Sequence, residues 1–153
     1  MVDVGIVVIN MKKVDMRVLD HNVRNKSFEE VQLGYNDEEA LREASRCLNC
    51  PNPQCVKGCP VGVRIPQFIE AIKNEDLKKA YDIIRESSSL PAVCSRVCPQ
   101  EKQCQSKCVK GYKGDAISIG ALERYVADHA LKNNFDNVKT ELRRYINIRI
   151  RIS

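Results

Sequence analysis

The sequence predicts a mostly helical domain in which long loops carry the cysteines. Three observations support this fold class. Several segments repeat apolar residues at helical spacing, all eight cysteines fall between Cys47 and Cys108, and prolines and glycines crowd the first cysteine segment. Only 5% of the residues are aromatic and none is tryptophan. The apolar core is therefore expected to be modest, and something besides apolar packing is expected to help hold the chain together.

The two ends of the chain are predicted to contain short strands. Val2 to Ile9 is mainly apolar, and the final segment from Tyr145 to Ser153 alternates isoleucine with asparagine or arginine, which is a strand pattern. Residues 10–35 are polar and are expected to be irregular, with Phe28 and Val31 as docking points.

The first helix is predicted to begin at Asn36 or Asp37 and to run to about Leu48. Asparagine and aspartate are good helix caps, and acidic residues fill the first turn, where the helix dipole favours them. Cys47 falls on the apolar face of this helix, so the helix end is expected to direct the first cysteine inward. The other residues predicted for that face are Ala40, Leu41, Ala44 and Leu48.

Further helices are expected along the rest of the chain. Pro66 can begin a short one that ends near Asn74, and apolar residues at helical spacing predict another from Asp76 to Glu86. Short helical turns are expected around Cys94–Cys98 and Cys104–Cys108. The longest helix is predicted from an Asp115 cap to about Lys132.

The spacing of the cysteines is the strongest chemical signal. The first batch reads Cys47-x2-Cys50-x4-Cys55-x3-Cys59-Pro60 and is close to the C-x2-C-x2-C-x3-C-P run of bacterial ferredoxins. In that run three cysteines hold one iron–sulfur cube, so further ligands must come from far along the chain. The second batch can supply them: Cys94, Cys98, Cys104 and Cys108.

Two other uses of the cysteines remain open at this point. Disulfides require an oxidising compartment, and the N-terminus makes a poor signal peptide because Asp3 precedes a short apolar stretch and the basic residues follow it. Zinc sites usually show two C-x2-C pairs or a pair with histidines. This chain has one such pair, and His21 and His129 lie outside the cysteine window.

Charge and hydropathy exclude two classes of partner. The net charge of +5 comes from 25 basic and 20 acidic residues, and the basic excess sits mainly on the C-terminal tail, so that the central block is nearly neutral. It is therefore too weak for a nucleic-acid-binding protein. The longest apolar run, Gly5 to Ile9, is far too short to span a membrane. A cytoplasmic, metal-binding protein is expected.

These residues resemble a known family. Ser27 to Lys132 is similar to the N-terminal iron–sulfur domain of the small subunit of NADPH-dependent glutamate synthase. Related domains occur in dihydropyrimidine dehydrogenase and in NADH-dependent ferredoxin:NADP oxidoreductase. The matching stretches are FEEVQLGYNDEEALREASRCLNC, CVKGCPVGVRIPQFI, LPAVCSRVCPQEKQC and ISIGALERYVAD.

The resemblance implies an α-helical ferredoxin-like fold with two 4Fe–4S clusters, and it implies the ligands of each. Carried over by position, the ligands of cluster one are Cys47, Cys50, Cys55 and Cys108, and those of cluster two are Cys59, Cys98, Cys104 and Glu123. Cys94 is then left without a role. The residues themselves support Glu123, since it shares an apolar helix face with Val126 and has no basic residue three or four positions away.

The expected function is electron transfer as the iron–sulfur module of a glutamate synthase-like oxidoreductase. Its partners would be a flavin- and NADPH-binding region or subunit and an electron-accepting subunit. The chain contains no G-x-G, so by itself it is expected to bind neither FAD nor NADPH and to have no catalytic site.

Three parts are expected: an arm (1–26), the two-cluster domain (27–132) and a basic tail (133–153) that does not match the family. Two alternatives stay open. One is a zinc-stabilised interaction module without a redox role. The other is a metal-free structural remnant whose C-terminal strand pairs with another sheet.

Overall fold

The computed structural model of the protein describes residues 12–136. Within that range the chain is mostly helical, which confirms the predicted fold class. The α-helices are α1 (His21–Arg24), α2 (Asp37–Ser45), α3 (Gln54–Lys57), α4 (Ile65–Lys73), α5 (Leu77–Arg85), α6 (Pro91–Val97) and α7 (Ile119–Lys132). Three 3-10 turns follow α6, at Gln100–Lys102, Gln105–Lys107 and Val109–Tyr112. Both predicted terminal strands, residues 2–9 and 145–153, lie outside the described residues.

A small antiparallel ribbon forms within residues 10–35, for which the sequence predicted irregular structure. Strand β1 (Arg17–Val18) pairs with β2 (Gln32–Gly34), and α1 lies between them. Two and three residues are too few to produce a strand pattern, so the pairing depends on contacts between distant residues. The predicted docking points were wrong as well, because Phe28 is fully exposed and the exposed fraction of Val31 is 39%.

Helix α2 begins where its cap predicts. The Asn36 side chain accepts a hydrogen bond from the backbone N–H of Glu39, and the Glu39 carboxylate accepts one from the N–H of Asn36, which makes a capping box. The predicted apolar face is only partly right: Ala40 and Ala44 are buried, whereas Leu41 and Leu48 are exposed. The third residue buried in this helix is the acidic Glu43.

The core lies between the later helices. Helices α4 and α5 form an antiparallel pair, and α5 and α6 both pack on α7. The largest fully buried apolar side chains of this core are Ile65, Phe68, Ile69, Ile84, Leu122 and Val126. No helix within residues 12–136 is long and apolar enough to cross a membrane.

The long helix α7 begins at Ile119, four residues after the predicted Asp115 cap. Ser118 holds the cap position, and its backbone N–H donates to the Glu43 carboxylate. The carbonyl oxygens of Asp115 and Ala116 accept hydrogen bonds from the Arg46 guanidinium. The preceding residues are therefore held against α2 rather than wound into α7.

Candidate metal centres

The first cysteine group surrounds a pocket beside α4. Cys47 follows the end of α2, and its N–H still donates to the carbonyl oxygen of Ala44 at 2.9 Å. Cys55 lies in α3, and Cys108 follows the 3-10 turn Gln105–Lys107. These residues and Cys50 line a pocket that is partly open to solvent. The other side of the pocket is apolar and consists of Ile65, Pro66, Ile69, Ile117 and Ile119.

The four thiols of this group influence one another. Burial raises the pKa of Cys55 to about 11, and the neighbouring Cys108, Cys47 and Cys50 add to the shift. Burial also raises the pKa of Cys47, with Cys108 and Cys50 contributing. Without a cation, four thiolates in one partly buried pocket are costly. Metal binding would reverse that cost, because a metal ligates the thiolate form.

The second group joins the end of α6 to α7. Burial raises the pKa of Cys104 to about 12, and Cys59 and Glu123 raise it further. The pKa of Cys98 is raised by burial, then by Cys94, Glu123 and Cys59. These interactions place Cys59, Cys98, Cys104 and Glu123 near one another, with Cys94 beside Cys98, and none of them lines the first pocket.

Glu123 is the one carboxylate of this group. It lies on α7 between the buried residues Leu122 and Arg124, and burial alone raises its pKa to about 7. Among residues 12–136, no hydrogen-bond donor or cation is bound to its carboxylate. The neighbouring Arg124 pairs instead with Glu30 and Asp128. A buried carboxylate without a partner is costly, and the same group is a good ligand for iron.

Cys94 lies one helical turn before Cys98, on α6. Its carbonyl oxygen accepts a hydrogen bond from the N–H of Cys98 at 3.0 Å, and its thiol raises the pKa of Cys98.

The two histidines lie elsewhere: His21 is exposed in α1, and His129 contacts the rings of Tyr125 and Phe135. Within the described range, no three His, Cys, Asp or Glu side chains are close enough to hold a single metal ion. The ligands of an iron–sulfur cube each bind a different iron and stand farther apart.

Sequence reasoning missed a buried ion pair beside the first pocket. Glu43 and Arg46 are joined at 2.6 Å, and their side chains are 0% and 1% exposed. The Glu43 carboxylate also accepts from the N–H groups of Val14 (2.9 Å) and Ser118 (2.8 Å). The sequence pattern that could have predicted its burial is an acidic residue on an apolar helix face, which is also the pattern at Glu123. Unlike Glu123, Glu43 has a basic residue three positions away.

A lysine contact was missed too. The Lys73 ammonium at the end of α4 donates to the carbonyl oxygen of Cys47 at 3.0 Å. It lowers the pKa of Cys47 against the larger effect of burial. No local pattern relates these residues, because they are 26 positions apart in the chain. Lys73 therefore supplies positive charge next to the predicted ligands of cluster one.

Gly58 marks the close approach of the two cysteine segments. A Cβ atom at this position would stand 2.8 Å from the carbonyl oxygen of Gln103 and 2.9 Å from the Lys107 side chain. We expect Gly58→Ala to push the segments apart, lowering stability by about 1–3 kcal/mol. Both cysteine groups should then retain less iron. Gly114→Ala is the control, since no atom lies within 4 Å of its Cβ position. Equal iron content and equal melting temperatures for the two variants would contradict this prediction.

A helical domain whose loops gather cysteines in two groups is typical of iron–sulfur electron carriers. Comparison with protein families leads to the same class. The family described as dihydropyrimidine dehydrogenase domain II, 4Fe-4S cluster, matches residues 24–135, which is most of the chain. The chain belongs to this family of 4Fe–4S domains, and the resemblance expected from the sequence is confirmed.

Curated relatives agree with this assignment. The chain is 34% identical over 122 residues to the glutamate synthase [NADPH] small chain of Halomonas elongata, covering 80% of this chain and 26% of that protein. It is 41% identical over 101 residues to the NAD-dependent dihydropyrimidine dehydrogenase subunit PreT of Escherichia coli, covering 66% and 24%. The putative oxidoreductase AegA of the same organism is 38% identical over 109 residues, covering 71% and 16%. The chain thus spans only 16% to 26% of the length of these relatives.

Proposed function

We propose that this chain carries two 4Fe–4S clusters and passes electrons between a flavin- and NADPH-binding region or subunit and an electron-accepting subunit. Cluster one would be bound by Cys47, Cys50, Cys55 and Cys108. Cluster two would be bound by Cys59, Cys98, Cys104 and Glu123. Residues 27–132 would form the cluster domain, acting in the reducing cytoplasm. When bound, the clusters supply one-electron chemistry, and the chain supplies their ligands and charge environment.

The observation that carries this proposal is that the potential ligands fall into two separate groups. The thiols that raise the pKa of Cys55 are all in the first group, and Cys59 and Glu123 of the second group raise the pKa of Cys104, while Cys94 acts on Cys98 beside that second group. Each group also joins an early segment of the chain to a late one, as a cluster held by a folded domain requires. The relatives include a glutamate synthase [NADPH] small chain and an NAD-dependent dihydropyrimidine dehydrogenase subunit, which supports the proposed flow of electrons from a nicotinamide cofactor.

Anaerobic reconstitution with iron and sulfide tests the cluster content. We expect about eight irons and eight sulfides per chain, with a brown colour that fades on reduction. About four irons would overturn the two-cluster proposal. A colourless protein that instead retains zinc from expression would favour the interaction module.

Cys94 provides a separate check of the ligand assignment. We expect Cys94→Ser to keep both clusters, because each group already has four ligands without it. Iron content and the electron paramagnetic resonance spectrum of the reduced protein measure this. Cys98→Ser, four residues away, is the matched control and is expected to lose cluster two. Loss of iron from Cys94→Ser would show that the ligand assignment is wrong.

A further inference from the structure

The side chain of Gln100 lies directly on the first turn of α7. A Cβ atom at Gly120, the second residue of this helix, would stand 1.3 Å from Oε1 of Gln100 and 1.8 Å from its Cδ. A real Cβ atom and the amide cannot share that space, so the close approach requires glycine at this position. Gly120 is also buried. The contact therefore depends on two residues, a glycine in the helix and a side chain long enough to reach it.

The same glutamine is also joined to α6, which packs on α7. Its Nε2 donates a hydrogen bond to the carbonyl oxygen of Ser95 at 3.2 Å. Its backbone N–H donates to the carbonyl oxygen of Cys98 at 2.8 Å. Gln100 is therefore fixed at three points: the body of α6, the residue that caps the end of α6, and the first turn of α7.

These three points adjoin the proposed ligands of cluster two. Cys98 caps the end of α6 two residues before Gln100, and Cys104 follows Gln100 by four residues. Glu123 follows Gly120 by three residues on α7, so the two positions are neighbours on one helix face. The position of the Gln100 side chain thus relates the loop that carries two cysteines to the helix that carries the carboxylate.

We propose that Gln100 is a positioning residue for cluster two. Its amide, seated on Gly120, holds the loop with the two cysteine ligands at the distance from α7 at which Glu123 completes the ligand set. This inference deepens the proposed function and rests on it. Residues that orient metal ligands without touching the metal typically change metal affinity about 10–100-fold. No proposed ligand of cluster one lies in α6, in α7 or in the loop 98–104, so cluster one should be unaffected.

Two single variants remove the contact from opposite sides. Gln100→Ala deletes the amide, and Gly120→Ala places a methyl group where the amide lies and so displaces it. In both loaded variants we expect cluster two to release iron to a chelator, without oxygen, at least about tenfold faster than in the unmodified chain. Release from cluster one should change by less than about twofold. The release phase that is absent from Cys98→Ser identifies cluster two.

Electron paramagnetic resonance of the reduced variants provides a second measurement. The signal of cluster two should change shape, because one of its ligands is displaced, and the signal of cluster one should stay as it is. Gln67→Ala makes the same substitution at an exposed position of α4 and is the control. Its spectrum and its rates of iron release should match those of the unmodified chain.

The double variant Gln100→Ala/Gly120→Ala tests whether the two residues act through one contact. Once the amide is gone the methyl group has nothing to displace, so the double variant should release iron no faster than Gln100→Ala. Two independent effects would multiply instead. If Gly120 served only the stability of α7, alanine there would slow the release, because alanine favours a helix more than glycine does.

Three outcomes would overturn the inference: unchanged release in either single variant, equal acceleration for both clusters, or a double variant whose factor is the product of the two single factors. A general loosening of the fold would produce the second outcome, because α3 and the turn Gln105–Lys107 adjoin ligands of both clusters. If Gln100→Ala does not load, Gln100→Asn, whose amide is too short to reach Gly120, replaces it under the same criteria. Clearly fewer than about eight irons in the unmodified chain would contradict the proposed function instead, so the two failures are distinguishable.

Discussion

Glu123→Ala is expected to leave the chain with one cluster, so that its iron content falls from about eight to about four per chain. The carboxylate is buried on α7, and its charge raises the pKa of Cys98 and of Cys104. With the side chain gone, cluster two would have three ligands and an iron open to solvent. Iron analysis and electron paramagnetic resonance of the reduced protein measure the loss, and the signal of cluster one should remain.

If Glu123 had a purely structural role, its removal would lower the stability of the metal-free chain. Within residues 12–136 its carboxylate forms no hydrogen bond or ion pair, so removing it should not unfold the metal-free chain. We therefore expect equal unfolding midpoints for metal-free Glu123→Ala and the metal-free unmodified chain. Glu38→Ala, at an exposed position of α2, is the control and should retain both clusters. An unaltered iron content in Glu123→Ala would exclude the carboxylate as a ligand.

Breaking the buried pair of Glu43 and Arg46 is expected to have the largest effect on stability. Arg46→Ala leaves the buried Glu43 carboxylate without its cation, and Glu43→Ala leaves the buried guanidinium without its carboxylate. Removing one member of such a pair typically costs about 3–5 kcal/mol. For a chain of this size that corresponds to a fall of about 10 °C or more in melting temperature. Thermal unfolding of the loaded protein without oxygen measures it.

The pair links three segments, and this raises the expected cost. Glu43 binds the N–H of Val14 and of Ser118, and Arg46 binds the carbonyl oxygen of Asp115 at 2.7 Å. The matched control is Arg64→Ala, which breaks an ion pair whose side chains are 47% and 57% exposed. It should cost less than about 1 kcal/mol. The double variant Glu43→Leu/Arg46→Met should regain part of the loss, because no charge then remains buried. Single variants no less stable than Arg64→Ala would contradict the argument.

Local patterns explain which helices could be predicted. The cap of α2 and the apolar spacing of α5 act between residues at most four positions apart, so the sequence displays them directly. The pairing of β1 with β2 and the late start of α7 depend on contacts between distant segments. For that reason the ribbon was missed and the cap of α7 was predicted three residues too early.

The two buried glutamates show the same limit within the site. Both Glu43 and Glu123 interrupt an apolar helix face, and the sequence distinguishes them only by the basic residue three positions after Glu43. The folded chain shows what each glutamate contacts: Glu43 is bound by Arg46 and by two N–H groups, whereas Glu123 lies beside the cysteines. Cluster binding by Glu123 stays a prediction until iron is measured.

The sequence by itself determined the class of this protein. Cysteine spacing and the family resemblance predicted an iron–sulfur domain, and helical periodicity predicted most of its elements. The tertiary structure alone decided which distant side chains meet. It joined Lys73 to Cys47 and buried Glu43 against Arg46. The physical reason is that burial and electrostatic contact depend on distance in space, whereas a sequence pattern records only neighbours along a helix or strand.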